Sequence, residues 1–447
     1  MPLHTALLDK LNTELQAPTP LQLTRRDARL PAVPGKVHAV IGMRRAGKTS
    51  FLRQLQAERR QTLPPTEAHR AVYLSFDDER LAGIDTEQLS LLLEEYYRRF
   101  PELRGRQSVS WYLDEIQLVP GWDRFVRRVM DTEKLEIVVS GSSARMLSRE
   151  VHSSLRGRGM ETIIRPFGFR EFLRHRGEEP QAEPARWTRA ERSLIEKRFG
   201  EYLCEGGFPE AQGLSEALRV PLLQGYVDTV LFRDVVERYG VTQVAALRWL
   251  IRQCLRNPAA AVSVHRLHLD LKAQGYGVAK DAVHAIFGHL VDAFLIAAVP
   301  LATDSERRRN SNPRKVYPVD VGMIGAFDSS ARANLGHALE TLVHDELARR
   351  GAEIGYVRTG QGFEVDFLAR GIGGAEELIQ VCADVSDAAT RTRELRALDD
   401  AAQAYPRASR RLLVLGRDEV AASPLPDGVT QQAVYEWLLS PSGAGSD

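Results

Sequence analysis

The first 165 residues alternate short apolar runs with longer segments in which apolar residues recur every three or four positions. The apolar runs predict strands at 37–41, 72–76, 109–113 and 136–140, and a fifth strand is expected at 161–165. Helical periodicity predicts helices at 86–99 and 122–132. Strands that alternate with helices are typical of a parallel sheet covered on both faces. The pattern therefore predicts an α/β fold with a doubly wound parallel sheet.

The turn after the first strand has the spacing G-x-x-x-x-G-K-T from Gly42 to Thr49. Glycine at both ends permits backbone angles that let consecutive N–H groups point toward an anion. The helix that follows adds its N-terminal amides, Lys48 reaches the outer phosphates, and the Thr49 hydroxyl can ligate Mg²⁺. We therefore predict an ATP site formed by Gly42, Arg44, Arg45, Ala46, Gly47, Lys48, Thr49 and Ser50.

Two acidic residues, Asp114 and Glu115, end the third predicted strand. In a doubly wound sheet the carboxyl ends of the strands meet at one edge, so both side chains are expected beside the phosphate loop. Asp114 is predicted to hold Mg²⁺ together with Thr49, and Glu115 to polarise the attacking water. Two solvated acids at a strand end are the alternative, which the preceding G-x-x-x-x-G-K-T spacing disfavours. The pair predicts an ATP hydrolase.

Two further candidates for catalysis follow the fourth strand. Ser142, in the sequence Gly141-Ser142-Ser143, could sense the γ-phosphate or orient water, although a serine here could equally cap the next helix. Arg158 is flanked by glycines, which leaves it free to approach a ligand. It is a candidate arginine finger, supplied within the chain or by a neighbouring subunit, while a solvated basic loop is an equally good interpretation.

Seven segments occur in order along the chain: GMRRAGKTS, YLDEIQ, SGSSARML, LRGRG, RPFGFREFL, YLCEGGFPE and LFRDVVERYG. Together they resemble the prokaryotic AAA-superfamily ATPases that carry a C-terminal domain of unknown function with a restriction-nuclease-like fold. The similarity extends from about Val37 to near Ala402. It implies a P-loop ATPase core, a helical segment, a winged-helix segment and a nuclease-like end, and it implies no particular substrate.

The middle of the chain has the pattern of a winged helix. Three helical segments, 247–255, 263–274 and 280–293, precede two strands predicted at 294–299 and 316–319. The loop between these strands is basic, so it could act as a wing that neutralises phosphates of DNA or RNA. A protein-contact module with a solvated hairpin tip is the alternative. The residues predicted to contact nucleic acid are Arg307, Arg308, Arg309, Arg314 and Lys315.

The last module has the element order αβββα, which is that of a restriction-nuclease-like fold. Asp366 stands where the first metal-binding acid of such a site is expected, and Glu340 could supply a second carboxylate from the preceding helix. On the next strand, Gln380 and Cys382 occupy the positions that require an acid and a lysine. We therefore expect no hydrolysis by this module, and metal binding by Glu340 and Asp366 stays open.

Composition adds limits to this picture. A net charge of +1 over 447 residues argues against a globally basic nucleic-acid coat, and the three widely spaced cysteines indicate neither a zinc site nor disulfides. This cysteine usage predicts a reducing cytoplasm, and the N-terminus has no export-signal pattern. The longest apolar run, 293–302, contains a proline and is well short of the ~20 residues that cross a bilayer, so membrane insertion is not expected.

The length predicts several domains. We assign an N-terminal helix (1–21), an ATPase domain (22–165), a helical domain (166–243), a winged helix (244–330), a nuclease-like domain (331–425) and a tail (426–447). The predicted function is Mg²⁺-dependent ATP hydrolysis coupled to a nucleic-acid or protein client. The alternatives are a slow switch, in which ATP binding controls the docking of a partner, and an ATP-regulated nuclease, which is less favoured. The sequence does not decide the oligomeric state.

Overall fold

The computed structural model describes residues 3–16, 23–141, 157–328, 335–417 and 425–440. The chain divides into two compact units, 1–165 and 166–447. The division coincides with the end of the predicted ATPase domain. Within the described residues, the longest helices carry too many polar side chains, or are too short, to span a bilayer.

The first unit is built on a five-stranded sheet in the order β2-β3-β4-β1-β5, with every pair parallel. Its strands are β1 (Val37–Ile41), β2 (Ala71–Ser75), β3 (Val109–Asp114), β4 (Leu135–Ser140) and β5 (Gly159–Ile163). Its described helices are α1 (Thr5–Gln16), α2 (Lys48–Gln61), α3 (Thr86–Arg99) and α4 (Trp122–Thr132). The predicted parallel α/β sheet is confirmed. Strand β5 starts two residues earlier than expected, because Gly159 already pairs with Val37.

The packing of α2 positions the phosphate loop. Phe51 and Leu52 are fully buried and lie in one core cluster with Val40, Tyr112 and Val138 of the central strands. The two leading apolar positions of the helix therefore anchor it on the sheet, and the loop before it is held at the carboxyl end of β1. The neighbouring strands β3 and β4 end at Asp114 and Ser140 at the same edge.

The second unit begins with helices α5 (Phe169–His175), α6 (Arg189–Glu205) and α7 (Glu216–Thr229), followed by a π-helical segment, Val230–Val236. The apolar patch formed by Phe169 and Phe172 of α5 is buried. It packs in one cluster with Tyr435 and Trp437 from near the chain's C-terminus. The helical segment thus shares its core with elements more than 200 positions away.

The middle of this unit contains α8 (Val244–Arg256), α9 (Val264–Ala273), α10 (Lys280–Asp292) and a small antiparallel sheet in the order β6-β8-β7. The strands are β6 (Ala261–Val262), β7 (Ile296–Val299) and β8 (Arg314–Pro318). The segment between β7 and β8 contains a short helix, α11 (Glu306–Ser311), because Ser305 caps the backbone N–H of Arg308. A further short helix, α12 (Gly322–Phe327), follows β8.

The C-terminal part begins with α13 (Leu335–Arg349), which precedes β9 (Glu353–Arg358), β10 (Glu364–Arg370) and β11 (Glu376–Cys382). Helix α14 (Ala388–Ala404), β12 (Ser409–Val414), β13 (Val429–Ala433) and α15 (Val434–Leu439) complete it. The sheet order is β13-β12-β11-β10-β9, antiparallel from β9 to β11 and parallel from β11 to β13. The first five elements follow the predicted αβββα order.

The assignment of 426–447 to a tail is wrong for the described residues 426–440. Strand β13 pairs with β12, and Trp437 and Leu438 of α15 are buried in the core that also holds Phe169. The segment is short, so its apolar residues are buried by partners that are distant in sequence.

Candidate active site

The loop between β1 and α2 is shaped by residues with positive φ. Gly42 has φ 145°, and a Cβ atom there would lie 2.1 Å from the carbonyl oxygen of Ile164, so only glycine fits. Gly47 has φ 100° and directly precedes α2. Arg45 also adopts a left-handed conformation, with φ 66°. The backbone therefore turns sharply between the strand and the helix, as a phosphate-binding loop requires.

Arg26 fastens this loop from outside the motif. Its guanidinium donates to the carbonyl oxygen of Ala46 at 2.9 Å and to that of Arg165. Its backbone is paired with the Gln54 side chain, which accepts from Arg26 N at 2.7 Å and donates to Arg26 O at 3.3 Å. Arg26 is only 4% exposed. One buried cation thus joins the phosphate loop, α2 and the end of the sheet.

The Lys48 ammonium lies inside the loop. Its Nζ donates to the carbonyl oxygens of Gly42 at 3.1 Å and Met43 at 3.0 Å, and the residue is 6% exposed. The loop's own backbone thereby keeps the positive charge at the centre of the cradle, where the outer phosphates of a nucleotide are expected to bind.

Asp114 is the meeting point of three hydroxyl groups. Thr49 Oγ1 and Tyr73 Oη each donate to its Oδ2 at 2.7 Å, and Ser140 Oγ donates to its Oδ1. The carboxylate is 2% exposed and is oriented from three different elements, α2, β2 and β4. Burial, followed by the charge of Asp114, raises the pKa of Tyr73 well above its ordinary value, so this phenol remains a donor.

Glu115 adopts a strained backbone. Its φ of 54° and ψ of 38° lie in the left-handed region, which a non-glycine residue enters at a cost of about 1 kcal/mol or more. Its N–H donates to Ser140 Oγ at 3.2 Å, and its carboxylate accepts from the Gln117 amide. The sharp turn directs the chain from β3 into a 3₁₀ turn. Asp114 is therefore the last residue of the strand, whereas Glu115 lies outside it.

The donor set fits Mg²⁺ delivered with ATP. Magnesium prefers hard oxygen ligands and uses one or two protein groups alongside phosphate oxygens and water. The Thr49 hydroxyl and the Asp114 carboxylate are such groups, and their 2.7 Å hydrogen bond brings them together. Lys48 and Thr49 thus lie beside Asp114 and Glu115 at one edge of the sheet.

Arg158 lies elsewhere. It directly precedes β5, its carbonyl oxygen accepts from Val37 N at 2.9 Å, and its side chain pairs with Asp131 at the end of α4. The phosphate loop follows the opposite end of β1, about 16 Å away if each of the five residues rises about 3.3 Å. The prediction that Arg158 could serve its own chain's phosphate site is therefore not supported by the fold. Ser142 and Ser143, as well as Arg156, lie outside the described residues.

The sequence analysis did not identify three residues that shape this site, namely Ser140, Tyr73 and Arg26. Ser140 is the last residue of an apolar strand, and it directly precedes the Gly-Ser-Ser segment in which the catalytic serine was predicted. Tyr73 sits within an apolar run and has the pattern of a core residue. Arg26 precedes the loop by 16 positions and matches no motif. Only the alternation of strand residues could have suggested that Tyr73 shares a face with Asp114.

Two family models match the chain. A model described as an AAA domain matches residues 34–173, and one described as a domain of unknown function (DUF8612) matches residues 196–334. The first begins just before β1 and includes the whole phosphate loop and both acids.

The chain is also similar to full-length relatives. It is 31% identical over 400 residues to the uncharacterized protein MJ1544 of Methanocaldococcus jannaschii, a match that covers 88% of this chain and 84% of the relative. The chain belongs to this AAA family. An uncharacterized protein of Haemophilus influenzae is 25% identical over 406 residues, covering 90% of this chain and 94% of its own.

Solved structures give weaker matches. The Walker-type ATPase PABY2304 of Pyrococcus abyssi has a TM-score of 0.36 and 16% identity, covering 72% of this chain and 94% of that one. The ORC2 protein of Aeropyrum pernix, in ADPNP and ADP complexes, has a TM-score of 0.37 and 14% identity, covering 77% and 93%.

Outside the AAA domain, the structure separates the five basic residues predicted to contact nucleic acid. Arg307 and Arg308 are exposed on α11, while Arg309 bends back to Thr303 O at 3.2 Å and Arg314 is half-buried in β8. Lys315 is 3% exposed and binds three carboxylates. The prediction that Lys315 contacts nucleic acid is wrong, because its strand position turns it into the interior.

The candidate metal acids of the C-terminal part do lie together. Glu340 of α13 and Asp366 of β10 both line a cavity of about 430 Å³. Gln380 lies at the same cavity, whereas Cys382 is buried and donates to Asp384 O at 3.1 Å. Within the described residues, no group of three or more His, Cys, Asp or Glu side chains has an arrangement that would hold a metal ion.

Proposed function

We propose that the AAA domain binds ATP with Mg²⁺ and hydrolyses its β–γ bond at the edge formed by β1, β3 and β4. The observation that carries the proposal is the 2.7 Å hydrogen bond between Thr49 Oγ1 and Asp114 Oδ2. It joins the phosphate loop to the acidic strand end, so one site contains phosphate-binding and metal-binding groups together. The membership of the AAA family supports the same conclusion.

Each residue then has a distinct task. The loop amides of 42–47 and the Lys48 ammonium hold the phosphates, while Thr49 and Asp114 would hold Mg²⁺. When bound, that ion would supply positive charge that stabilises the negative charge developing on the phosphates. Glu115 orients the attacking water and accepts its proton. It is next to Asp114 in the chain, but its left-handed backbone places it outside the strand. Ser140 binds both the Asp114 carboxylate and the Glu115 N–H, and so sets the angle between the two acids.

Nucleotide binding and turnover in two variants test this assignment. Lys48→Ala is expected to lose ATP binding, measured by the fluorescence of a labelled nucleotide. Glu115→Gln is expected to bind ATP as the parent does and to lose at least 100-fold in kcat, because the amide cannot accept the proton. Glu102→Gln, at an exposed position after α3, is the matched control. Normal turnover by Glu115→Gln would remove Glu115 from the mechanism.

Hydrolysis is proposed to act on a nucleic-acid client that contacts the segment between β7 and β8. Arg307 and Arg308 are exposed on α11, and neither forms an ion pair within the described parts of the chain. Arginines of this kind neutralise phosphates and release counterions, so the affinity should fall steeply with salt. A protein client is the main alternative, and its signature is turnover that nucleic acid leaves unchanged.

The client proposal is tested by turnover and binding together. ATP hydrolysis is expected to rise several-fold when DNA or RNA is added, and Arg307→Ala with Arg308→Ala should reduce both the stimulation and the salt dependence of binding. Arg266→Ala is the control, because Arg266 is equally exposed but pairs with Asp270 on α9. Tight ATP binding with slow turnover that no nucleic acid accelerates would instead favour the slow switch.

A further inference from the structure

The cavity between α13, α14 and β10 contains an internal ion cluster. The Lys315 ammonium, on β8, lies 2.9 Å from Glu340 Oε1, 2.9 Å from Asp366 Oδ1 and 3.0 Å from Glu364 Oε1. The Lys315 side chain is 4% exposed, and those of Glu340 and Asp366 are 10% and 11% exposed. A single buried cation is therefore shared by three carboxylates from two elements.

The oxygens around this ammonium are those that a metal ion would need. Asp366 Oδ1 and Glu340 Oε1 both face Lys315, and Glu340 Oε1 also accepts from Tyr317 Oη at 2.7 Å. The second oxygen of Asp366 accepts from Val381 N at 3.0 Å. The two acids that the sequence suggested as metal ligands thus already have their oxygens directed at donors of this chain.

Gln380 is the neutral polar group that lies next to Asp366 in this cluster. Its side-chain oxygen accepts from Asp366 N at 3.3 Å, and its amide donates to Glu394 Oε2 at 2.7 Å. A carboxylate at this position would add a ligand for a metal, whereas the amide serves as a link between β10 and α14. Gln380 therefore supports the geometry of Asp366 rather than extending a metal site.

Charge favours the ammonium as the sole cation. Burial by itself lowers the pKa of Lys315, but Asp366, Glu340 and Glu364 raise it further, so its pKa is above the ordinary value. A divalent ion bound at about 2.0–2.2 Å from the same oxygens would lie next to Nζ, where the two positive charges repel. The residues present therefore do not fit a metal ion while Lys315 is in place.

We propose that Lys315 is the resident cation of this cluster: its ammonium takes the place of a divalent metal, and its removal turns Glu340 and Asp366 into a divalent-cation site. The ammonium holds α13 and β10 together in the way that a structural ion does. Because Lys315 comes from β8, the same contact also ties the small β6-β8-β7 sheet to the larger C-terminal sheet. The cluster thereby holds the two sheets together, and no hydrolytic step is assigned to it.

The test replaces the ammonium by an uncharged side chain of similar length in the full chain. Lys315→Met and the control Arg314→Met are each made in a protein that carries Asp114→Asn, which silences the metal-binding carboxylate of the AAA domain. Arg314 neighbours Lys315 on β8, but successive side chains of a strand point to opposite faces. Mn²⁺ is the probe, and its binding is measured by calorimetry and by the loss of its free paramagnetic signal.

Lys315→Met is expected to bind one Mn²⁺ at least tenfold more tightly than the parent or Arg314→Met, and Mn²⁺ should raise the Tm of that variant alone. If Lys315→Met folds only when Mn²⁺ is present, the proposal is equally supported. If it does not fold at all, Lys315→Met with Glu364→Gln lowers the surplus negative charge and keeps Glu340 and Asp366. The proposal is overturned if this double variant gains no Mn²⁺ binding, or if the parent binds one Mn²⁺ that Glu340→Gln abolishes.

Discussion

Tyr73 and Thr49 donate hydrogen bonds to the same oxygen of Asp114, each at 2.7 Å. One donor belongs to the phosphate loop's helix and the other to a neighbouring strand, so the phenol fixes the carboxylate that Thr49 approaches. Tyr73 itself is 6% exposed and has the Arg53 guanidinium 3.5 Å above its ring centre. The position of this carboxylate is thus determined by packing inside the sheet as well as by the motif.

Tyr73→Phe is expected to lower kcat about tenfold while leaving the fold intact. A hydrogen bond to a charged group contributes about 1.5–3 kcal/mol, and part of that should appear in the transition state when Asp114 is less well oriented. Steady-state ATP turnover measures the effect. Tyr112→Phe is the matched control, since Tyr112 pairs with Tyr73 across the sheet but donates to Leu55 O at 3.3 Å. Equal losses in both variants would point to packing instead.

Ser140→Ala should cost more than Tyr73→Phe, about 30-fold in kcat. The hydroxyl donates to Asp114 and accepts from the N–H of Glu115, so its removal loosens both acids at once. Ser110→Ala serves as the control, because Ser110 is equally buried on β3 but bonds to Glu136 at 2.8 Å. Unchanged turnover in Ser140→Ala would mean that Thr49 and Tyr73 suffice to place Asp114.

Arg26→Met is expected to weaken ATP binding about tenfold and to lower the thermal stability of the AAA domain. The guanidinium holds the Ala46 carbonyl from behind, and an uncharged side chain would leave that carbonyl without its donor. Titration with a fluorescent nucleotide measures the affinity. Arg29→Met, three residues later on the same segment but exposed, should bind ATP normally. Normal affinity in Arg26→Met would show that the loop keeps its shape by itself.

The stability of the second unit should depend on the protonation of Asp320. Burial raises the pKa of Asp320 to about 7, although the N–H groups of Gly207 and Gly322 oppose this shift. Because the folded-state pKa is above the ordinary 3.8, the unfolding free energy contributed by this group is fully present below pH 4. It falls by up to about 1.4 kcal/mol per pH unit until the pH passes about 7.

Urea unfolding at several pH values checks this expectation by comparing the parent with Asp320→Asn. The amide cannot ionise, so the difference in unfolding free energy between the two proteins should change between pH 4 and pH 7 and then level off. Glu340, whose pKa burial also raises, contributes a slope of the same sign to both proteins and cancels in the difference. A difference that is constant with pH would show that Asp320 is already ionised in the folded state.

Local sequence patterns predicted much of the first unit. The contacts that form its site are either local in sequence or follow from the rule that parallel strands end at the same edge of a sheet. The turn from Gly42 to Thr49 needs only its own backbone and the next helix. Asp114 is distant in sequence, but parallel strands bring their carboxyl ends together, so its place could be inferred. Arg158 was misplaced because its flanking glycines suggested freedom, although a residue that precedes a parallel strand lies at the end of the sheet opposite the phosphate loop.

The amino-acid sequence by itself determined that this chain has a phosphate loop, two acids at a strand end and a C-terminal αβββα order, since each depends on short-range periodicity or spacing. Only the tertiary structure decided that Tyr73 and Ser140 orient Asp114, and that Lys315 joins Glu340 and Asp366 across 25 and 51 positions. The sequence cannot distinguish a buried basic residue of a hairpin from an exposed one, because that depends on which face of the strand carries the side chain. Burial then selects its partners, because an ammonium without carboxylates could not remain charged in that interior.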